Sequence, residues 1–369
     1  MNCPVCKSQR TIEVDKFVFD NFVTSDCKPL QFKFGLKNCK SCHHTYKIVN
    51  EALKKKVSQI YRDYTPYHSG GGKEQRIVSD KGFVSRSYYL FESIKPYIIS
   101  DNISSHLDIG CGVGATLGAM NRLNKKVSLY GMDLSNALEE SIVRLNNFSG
   151  FYHSLNEIPK VKKFDLISLM HTIEHIEDLH DFLSGIRNIL SSSGQLIIQI
   201  PNPSCNPFDY LIIDHLHHFS DNSLKNLLRK NGFSGIRILK NLVNKEVTII
   251  ANLAPDLYSV TDHNPDFQIF SVEQAVEYLN KFYLDLKKIT GKFYIFGTAI
   301  SATWLYGCFK EYVVGFVDED EDKHNKNLFM LQVKKPQEIL SNEIVAIPLV
   351  GPIKSSVLKR LMKYTCNIF

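Results

Sequence analysis

Apolar and polar positions change rhythm several times along this chain. HLDIG (106–110) is a short apolar run of the kind that makes a buried parallel strand, and ATLGAMNRL (115–123) repeats its apolar residues at helical spacing. VSLYGMDLS (127–135) predicts a second strand that ends at Asp133. KFDLISLMHTIEHIEDLHDFLSGIRNILSSSGQLIIQIPN (163–202) then predicts strand, loop, helix, a Ser-Gly turn and a further strand. Past residue 270 the alternation starts again. SVEQAVEYLNKFYLDLKKI (271–289) is helical, GKFYIFGTAISATWLYG (291–307) is strand, turn and helix, and EIVAIPLVGPIKSSVLKRLM (343–362) continues the series. Strands alternating with helices build parallel α/β layers. The pattern divides the chain into an amino-terminal module (1–75), an α/β core (76–255) and a smaller α/β domain (256–369).

Length supports that division, since 369 residues exceed one usual hydrophobic core. A composition of 44% hydrophobic and 22% charged residues is that of a soluble globular protein. The net charge of +6 is scattered, and its densest run, KKK at 54–56, is short. That distribution fits a solvated face better than a nucleic-acid track, so no nucleic-acid partner is expected. No apolar run reaches the ~18 residues of a membrane span, so no membrane partner is expected. MNCPVCKSQR has no apolar signal region, and the expected location is cytoplasmic. No obligatory protein partner is evident.

Nine cysteines change the picture of the amino-terminal module. Four form two knuckles, CPVC (Cys3, Cys6) and CKSC (Cys39, Cys42), with 32 residues between them. Each Cys-x-x-Cys turn aims two thiolates at one point, and two turns complete a tetrahedral sulfur cage for zinc. A pair of redox dithiols is the competing reading, but neither knuckle follows a strand and opens a helix as that chemistry requires. A closed four-thiolate cage leaves no open coordination position, so the expected zinc is structural. Cys27, Cys111, Cys205, Cys308 and Cys366 stand alone and read as packing residues.

Gly110, Gly112 and Gly114 follow the first core strand as G-x-G-x-G, with Asp108 on the strand itself. The dinucleotide fingerprint is G-x-G-x-x-G, so the spacing allows a ligand close to the backbone without requiring a pyrophosphate. Asp133, 23 residues after Gly110, is placed to accept hydrogen bonds from the two hydroxyls of a ribose. With the IEHIED stretch on the next strand exit, the array resembles the class I S-adenosylmethionine-dependent methyltransferases over about residues 104–253. That resemblance implies a Rossmann-like core with a seven-stranded sheet. It also implies S-adenosyl-L-methionine as cofactor, its ammonium near Asp108, its ribose at Asp133, and Leu134 and His171 beside it. The third-strand stretch FYHSLNEI presents His153 and Ser154 where relatives often offer the adenine an acid.

After the last IPN strand, Asp214, His215, His217 and His218 crowd five positions ahead of a helix capped by SDNS. Histidines beside an aspartate supply a base tuned near neutrality, although some of them read equally as capping or packing residues. The order thiolate knuckles, methyltransferase core and degenerate nucleotide-binding-like domain resembles the sugar C-methyltransferases of deoxysugar biosynthesis. By position, His175, Asp214 and His215 match that family's site stretches, and Tyr67 or Tyr64 its early tyrosine; Ile212 and Ile213 replace its Tyr and His, Asp214 replaces its Glu, and the last domain lacks its Trp-Asn pair near PLVGP. The stretch YRDYTPYHSGGGKE (61–74) reads as a lid or as packed linker. In the last domain the turn G-T-A-I-S-A lacks two fingerprint glycines, which argues against a nicotinamide cofactor, and Asp318 is a nucleotide contact or a turn residue.

The leading expectation is methyl transfer to a small molecule, a nucleotide-linked sugar or surface-glycan precursor, on carbon or oxygen, with His215 as base and Asp214, His175 and Tyr67 in support. The alternatives are an RNA methyltransferase and a non-catalytic cofactor-binding scaffold.

Overall fold

The computed structural model describes residues 2–64, 74, 76–79, 82–98, 103–135, 142–240, 242–253, 270–364 and 367–369. Its centre is a seven-stranded sheet. In chain order the strands are β1 (Ser105–Ile109), β2 (Ser128–Met132), β3 (Phe148–Tyr152), β4 (Phe164–Met170), β5 (Leu190–Pro201), β6 (Ser234–Lys240) and β7 (Glu246–Asn252). They lie side by side as β3-β2-β1-β4-β5-β7-β6. The first five run parallel, and β7 pairs antiparallel with both β5 and β6. Every residue of β1 is buried, which explains why its sequence does not alternate. The seven strands expected from the sequence are present.

The chain leaves β1 toward β2 on one side, while β4 continues the sheet on the other. Ligands of open α/β sheets bind outside the strand carboxyl ends at such a switch point. Local chemistry fixes the helices that follow. Asp178 caps the helix Leu179–Ile189 by accepting from the His180 and Asp181 amides. Ser220 and Ser223 form a reciprocal cap on Asp221–Lys230, as the SDNS stretch predicts.

The amino-terminal strands Thr11–Glu13, Leu36–Cys39 and Thr45–Lys47 form a sheet whose fourth strand, His217–His218, comes from the loop after β5. The thiolate module is therefore built into the core's histidine loop. Cys3, Val5, Cys39 and Cys42 share a hydrophobic cluster with Leu183, Leu224 and Leu228. Phe19, Phe22 and Val23 pack with Phe208, Leu279 and Trp304, which ties the module to the last domain as well. That domain holds a five-stranded sheet, with Phe293–Phe296 between Val313–Val317 and Ile344–Ala346. Among the described residues, no helix is long and apolar enough to cross a membrane.

Candidate active site

The three glycines of the β1 loop all take positive φ, +74° at Gly110, +50° at Gly112 and +79° at Gly114. This is the left-handed region that other residues rarely enter. Sterics add a second reason at Gly110, where a Cβ would collide with Thr172, whose hydroxyl donates to the Ile109 carbonyl at 2.9 Å. At Gly112 a Cβ would meet nothing within 4 Å, so the backbone there faces open space.

Asp133 sits at the tip of β2 and accepts from the Gly112 amide at 2.9 Å and the Ser135 amide at 3.2 Å. One carboxylate thus braces the glycine loop and stands over the same space. Leu134 beside it is 75% exposed, an apolar surface at the loop mouth. His153 Nδ1 lies 3.3 Å from the Asp133 carbonyl oxygen. Asp108 is buried on β1 and accepts from Ser168 at 2.5 Å; His106 Nε2 lies 2.7 Å from the same hydroxyl. Burial pushes the Asp108 carboxyl up to about 7, with the charge of Asp133 adding to the shift.

The loops leaving β4 and β5 bring the imidazoles together. His175 Nδ1 lies 2.9 Å from the Asp214 carbonyl oxygen, and its ring meets that of His215 edge-on with centroids 4.7 Å apart. His215 Nδ1 lies 2.8 Å from Asp209 Oδ1, and His218 Nδ1 is 2.6 Å from Asp209 Oδ2. Against its burial, the two imidazoles hold Asp209 well below the usual carboxylate range. Burial and then the neighbouring His215 depress His175. Glu174 is also buried and points into this group.

Asp214 does not orient His215, as their adjacency suggests. Its Oδ1 and Oδ2 accept from the amide (2.9 Å) and hydroxyl (2.5 Å) of Ser25, and Oδ2 lies 3.5 Å from His175 Nδ1. Successive loop residues point different ways, so the carboxylate six positions earlier reaches the ring and the adjacent one does not. His217 is a packing residue, 3.0 Å from His44 and 2.9 Å from the Ile176 carbonyl, and burial lowers its pKa to about 3. Tyr67 lies outside the described residues; Tyr61, ahead of it, sets its ring 6.1 Å from that of His175.

Residues 83–238 match a family model described as a methyltransferase domain. With the β3-β2-β1-β4-β5-β7-β6 order and the glycine loop, that match decides the class. The chain carries an S-adenosylmethionine-dependent methyltransferase domain. Over 157 residues the chain is 26% identical to a tRNA U34 carboxymethyltransferase of Pseudoalteromonas atlantica, covering 41% of this chain and 48% of that protein. It is 24% identical over 247 residues to a tRNA U34 carboxymethyltransferase of Vibrio cholerae, covering 63% of this chain and 74% of that one. A mitochondrial ubiquinone biosynthesis O-methyltransferase of Candida albicans is 27% identical over 114 residues, 28% of this chain and 35% of that protein. The chain spans about half the length of the first of these relatives. A solved methyltransferase of Archaeoglobus fulgidus covers 45% of this chain and 94% of its own, with 20% identity and a TM-score of 0.37.

Several residues of the methyltransferase domain's site escape a reading by motif. Arg86 donates to both carboxylate oxygens of Glu246 (3.0 and 2.6 Å) and to Gln199 at 2.6 Å. His171 belongs to this network, with Nε2 3.2 Å from Glu246 and φ of +53°. Burial opposes its charge, but Glu246 and Glu174 outweigh it and raise the ring to about 9. Lys47, from the thiolate module, donates to the carbonyls of Ile212 (2.7 Å) and His215 (2.6 Å). Burial pulls this lysine down to about 7, with Asp209 and Asp214 opposing. Arg86 and Lys47 lie far in sequence from the residues they hold.

The four knuckle cysteines converge. Cys3 Sγ is 3.7 Å from Cys42 Sγ, Cys6 Sγ is 3.5 Å from Cys39 Sγ, and all four sulfurs lie within 4.8 Å of one another. Bonds of 2.3 Å from a tetrahedral ion require sulfur edges of roughly 3.8 Å. Both knuckles share one turn, in which the Lys7 amide donates to the Cys3 carbonyl and the His43 amide to that of Cys39. The donor set and its spacing fit zinc. In the last domain Asp318 accepts from Thr298, Lys323 and the Asp320 amide, the pattern of a turn residue.

Proposed function

We propose that the chain transfers the methyl group of S-adenosylmethionine to a small polyhydroxylated acceptor, in the first instance a nucleotide-linked sugar. The cofactor's amino-acid part lies on the glycine loop with its ammonium toward Asp108, its ribose on Asp133, and its adenine against Leu134. His171 stands at the adjoining strand exit. The four cysteines hold a structural zinc that fixes the module carrying Lys47 and Ser25.

The observation that carries the reading is the position of His215. Its Nδ1 is committed to Asp209, His175 and Glu174 stand beside it, and the loop bearing those two residues leaves β4 through Thr172, packed under Gly110. An acceptor before His215 thus meets groups able to activate its hydroxyl or α-carbon while facing the methyl donor. Scattered surface charge and a deeply buried cluster favour a compact acceptor. The RNA reading has its own support in the names of the tRNA-modifying relatives.

Mass spectrometry of a nucleotide-sugar panel and of unmodified tRNA, each incubated with protein and S-adenosylmethionine, separates the two. Methylated sugar nucleotide is the expected result. Methylation confined to tRNA selects the RNA reading, and cofactor binding without any turnover selects the scaffold.

A further inference from the structure

We infer that Glu174, His175 and His215 form a second metal site, separate from the thiolate cluster, for a divalent ion of the manganese-to-zinc series. One ligand atom from each of the three residues lies within 4.8 Å of the other two. The set comes from two loops, Glu174 and His175 from the turn Ile173–His175 after β4 and His215 from the loop after β5.

Two further observations point to a cation. The first is Glu174. It is 1% exposed; His171 Nδ1 stands 3.3 Å from Oε1 as an ion pair, and among the described residues Oε2 meets no hydrogen-bond donor. His171 offsets that charge at Oε1 alone, and a buried carboxylate whose other oxygen meets no donor is completed by a cation at Oε2. The second is the orientation of the rings. His175 turns Nδ1 to the Asp214 carbonyl oxygen at 2.9 Å, and His215 turns Nδ1 to Asp209 at 2.8 Å. Metal-binding imidazoles are held this way, one nitrogen donating to a carbonyl or carboxylate so that the other presents its lone pair to the ion. Both rings therefore have Nε2 left for coordination.

Two imidazoles and one carboxylate suit manganese, iron(II), cobalt or zinc better than magnesium or calcium. Three protein ligands leave coordination positions open. On the methyl-transfer reading, which this use of the site assumes, those positions take an acceptor oxygen, either the hydroxyl that is methylated or the ketone beside a methylated carbon. The histidines then activate the acceptor through the ion. Ion binding itself does not depend on that reading.

Manganese is the probe, because thiolate sites favour softer ions and the cysteine cluster keeps its zinc. Paramagnetic resonance of free Mn²⁺ during titration of the full-length protein, without acceptor, reads the site. The expected result is one saturable Mn²⁺ per chain. Glu174→Gln and His175→Ala should each lose it, and Asp209→Asn should weaken it about 10–100-fold. Each variant is checked for unchanged circular dichroism and S-adenosylhomocysteine affinity, and any one that folds suffices. Absence of saturable binding, or unchanged binding in a folded Glu174→Gln or His175→Ala protein, overturns the site. A protein that binds Mn²⁺ yet methylates nothing overturns the proposed function and leaves the site standing.

Discussion

His215 Nδ1 stands 2.8 Å from Asp209 Oδ1, so a carboxylate six residues earlier in the chain fixes the ring and directs Nε2 away from it. Asp209→Asn keeps the shape of this contact and removes its charge. Turnover should fall about 10–100-fold, while S-adenosylmethionine affinity stays within experimental error, because Asp209 touches neither the glycine loop nor Asp133. His215→Ala should cost more, on the order of 10²–10⁴-fold. Steady-state rates alongside calorimetric cofactor affinities check both. A parallel fall in rate and affinity would place the pair at the cofactor instead.

The geometry of the glycine loop was legible in the sequence because its logic is local. A glycine triplet that needs positive φ, and an aspartate at the next strand tip, lie in one continuous βαβ stretch. The loop after β5 was legible only as a crowd of histidines. The partners of this loop come from elsewhere: Asp209 from the preceding turn, and Ser25 and Lys47, which hold Asp214 and the His215 carbonyl, from the thiolate module. The pairing of His217–His218 with Thr45–Lys47 joins segments about 170 residues apart, which no periodicity encodes.

The glycine loop gives a second prediction. With the ribose placed on Asp133 as proposed, Asp133→Ala removes the acceptor of two hydrogen bonds, each worth about 1.5–3 kcal/mol when charge-assisted. S-adenosylmethionine affinity should drop about 10²-fold or more. Gly112→Val places a branched residue at φ +50° and fills the open space above the loop, so binding should be lost. Calorimetry reads both, and unchanged affinity would remove the cofactor from this loop.

Asp108 supplies a pH dependence. Burial raises its carboxyl from the ordinary 3.8 to about 7, so between those values the folded free protein holds a proton that the unfolded chain has released. This group therefore lowers stability as pH rises through that window, and its effect levels off above it. An ammonium bound beside it favours the carboxylate, so S-adenosylmethionine binding just below pH 7 should release a proton. Calorimetry in two buffers of different ionisation enthalpy measures that release, which Asp108→Asn should abolish. Buffer-independent binding heats in the wild type would separate the ammonium from Asp108.

The thiolate cluster should retain about one zinc per chain after treatment with a mild chelator. Cys39→Ser should lose it and lower the melting temperature, because metal binding contributes directly to folding such modules. Methyl transfer should fall more than cofactor affinity, since Lys47 and Ser25 brace the Asp214–His215 loop from this module. Elemental analysis and thermal melts test the first part. A stable, metal-free and fully active protein would contradict it.

The most direct test follows label from methyl-labelled S-adenosylmethionine into a nucleotide-linked keto sugar, with wild-type protein beside Gly112→Val and His215→Ala. Labelled sugar is expected from the wild type, none from Gly112→Val, and almost none from His215→Ala despite its intact cofactor binding. Equal labelling by wild type and His215→Ala would contradict the proposed role of His215.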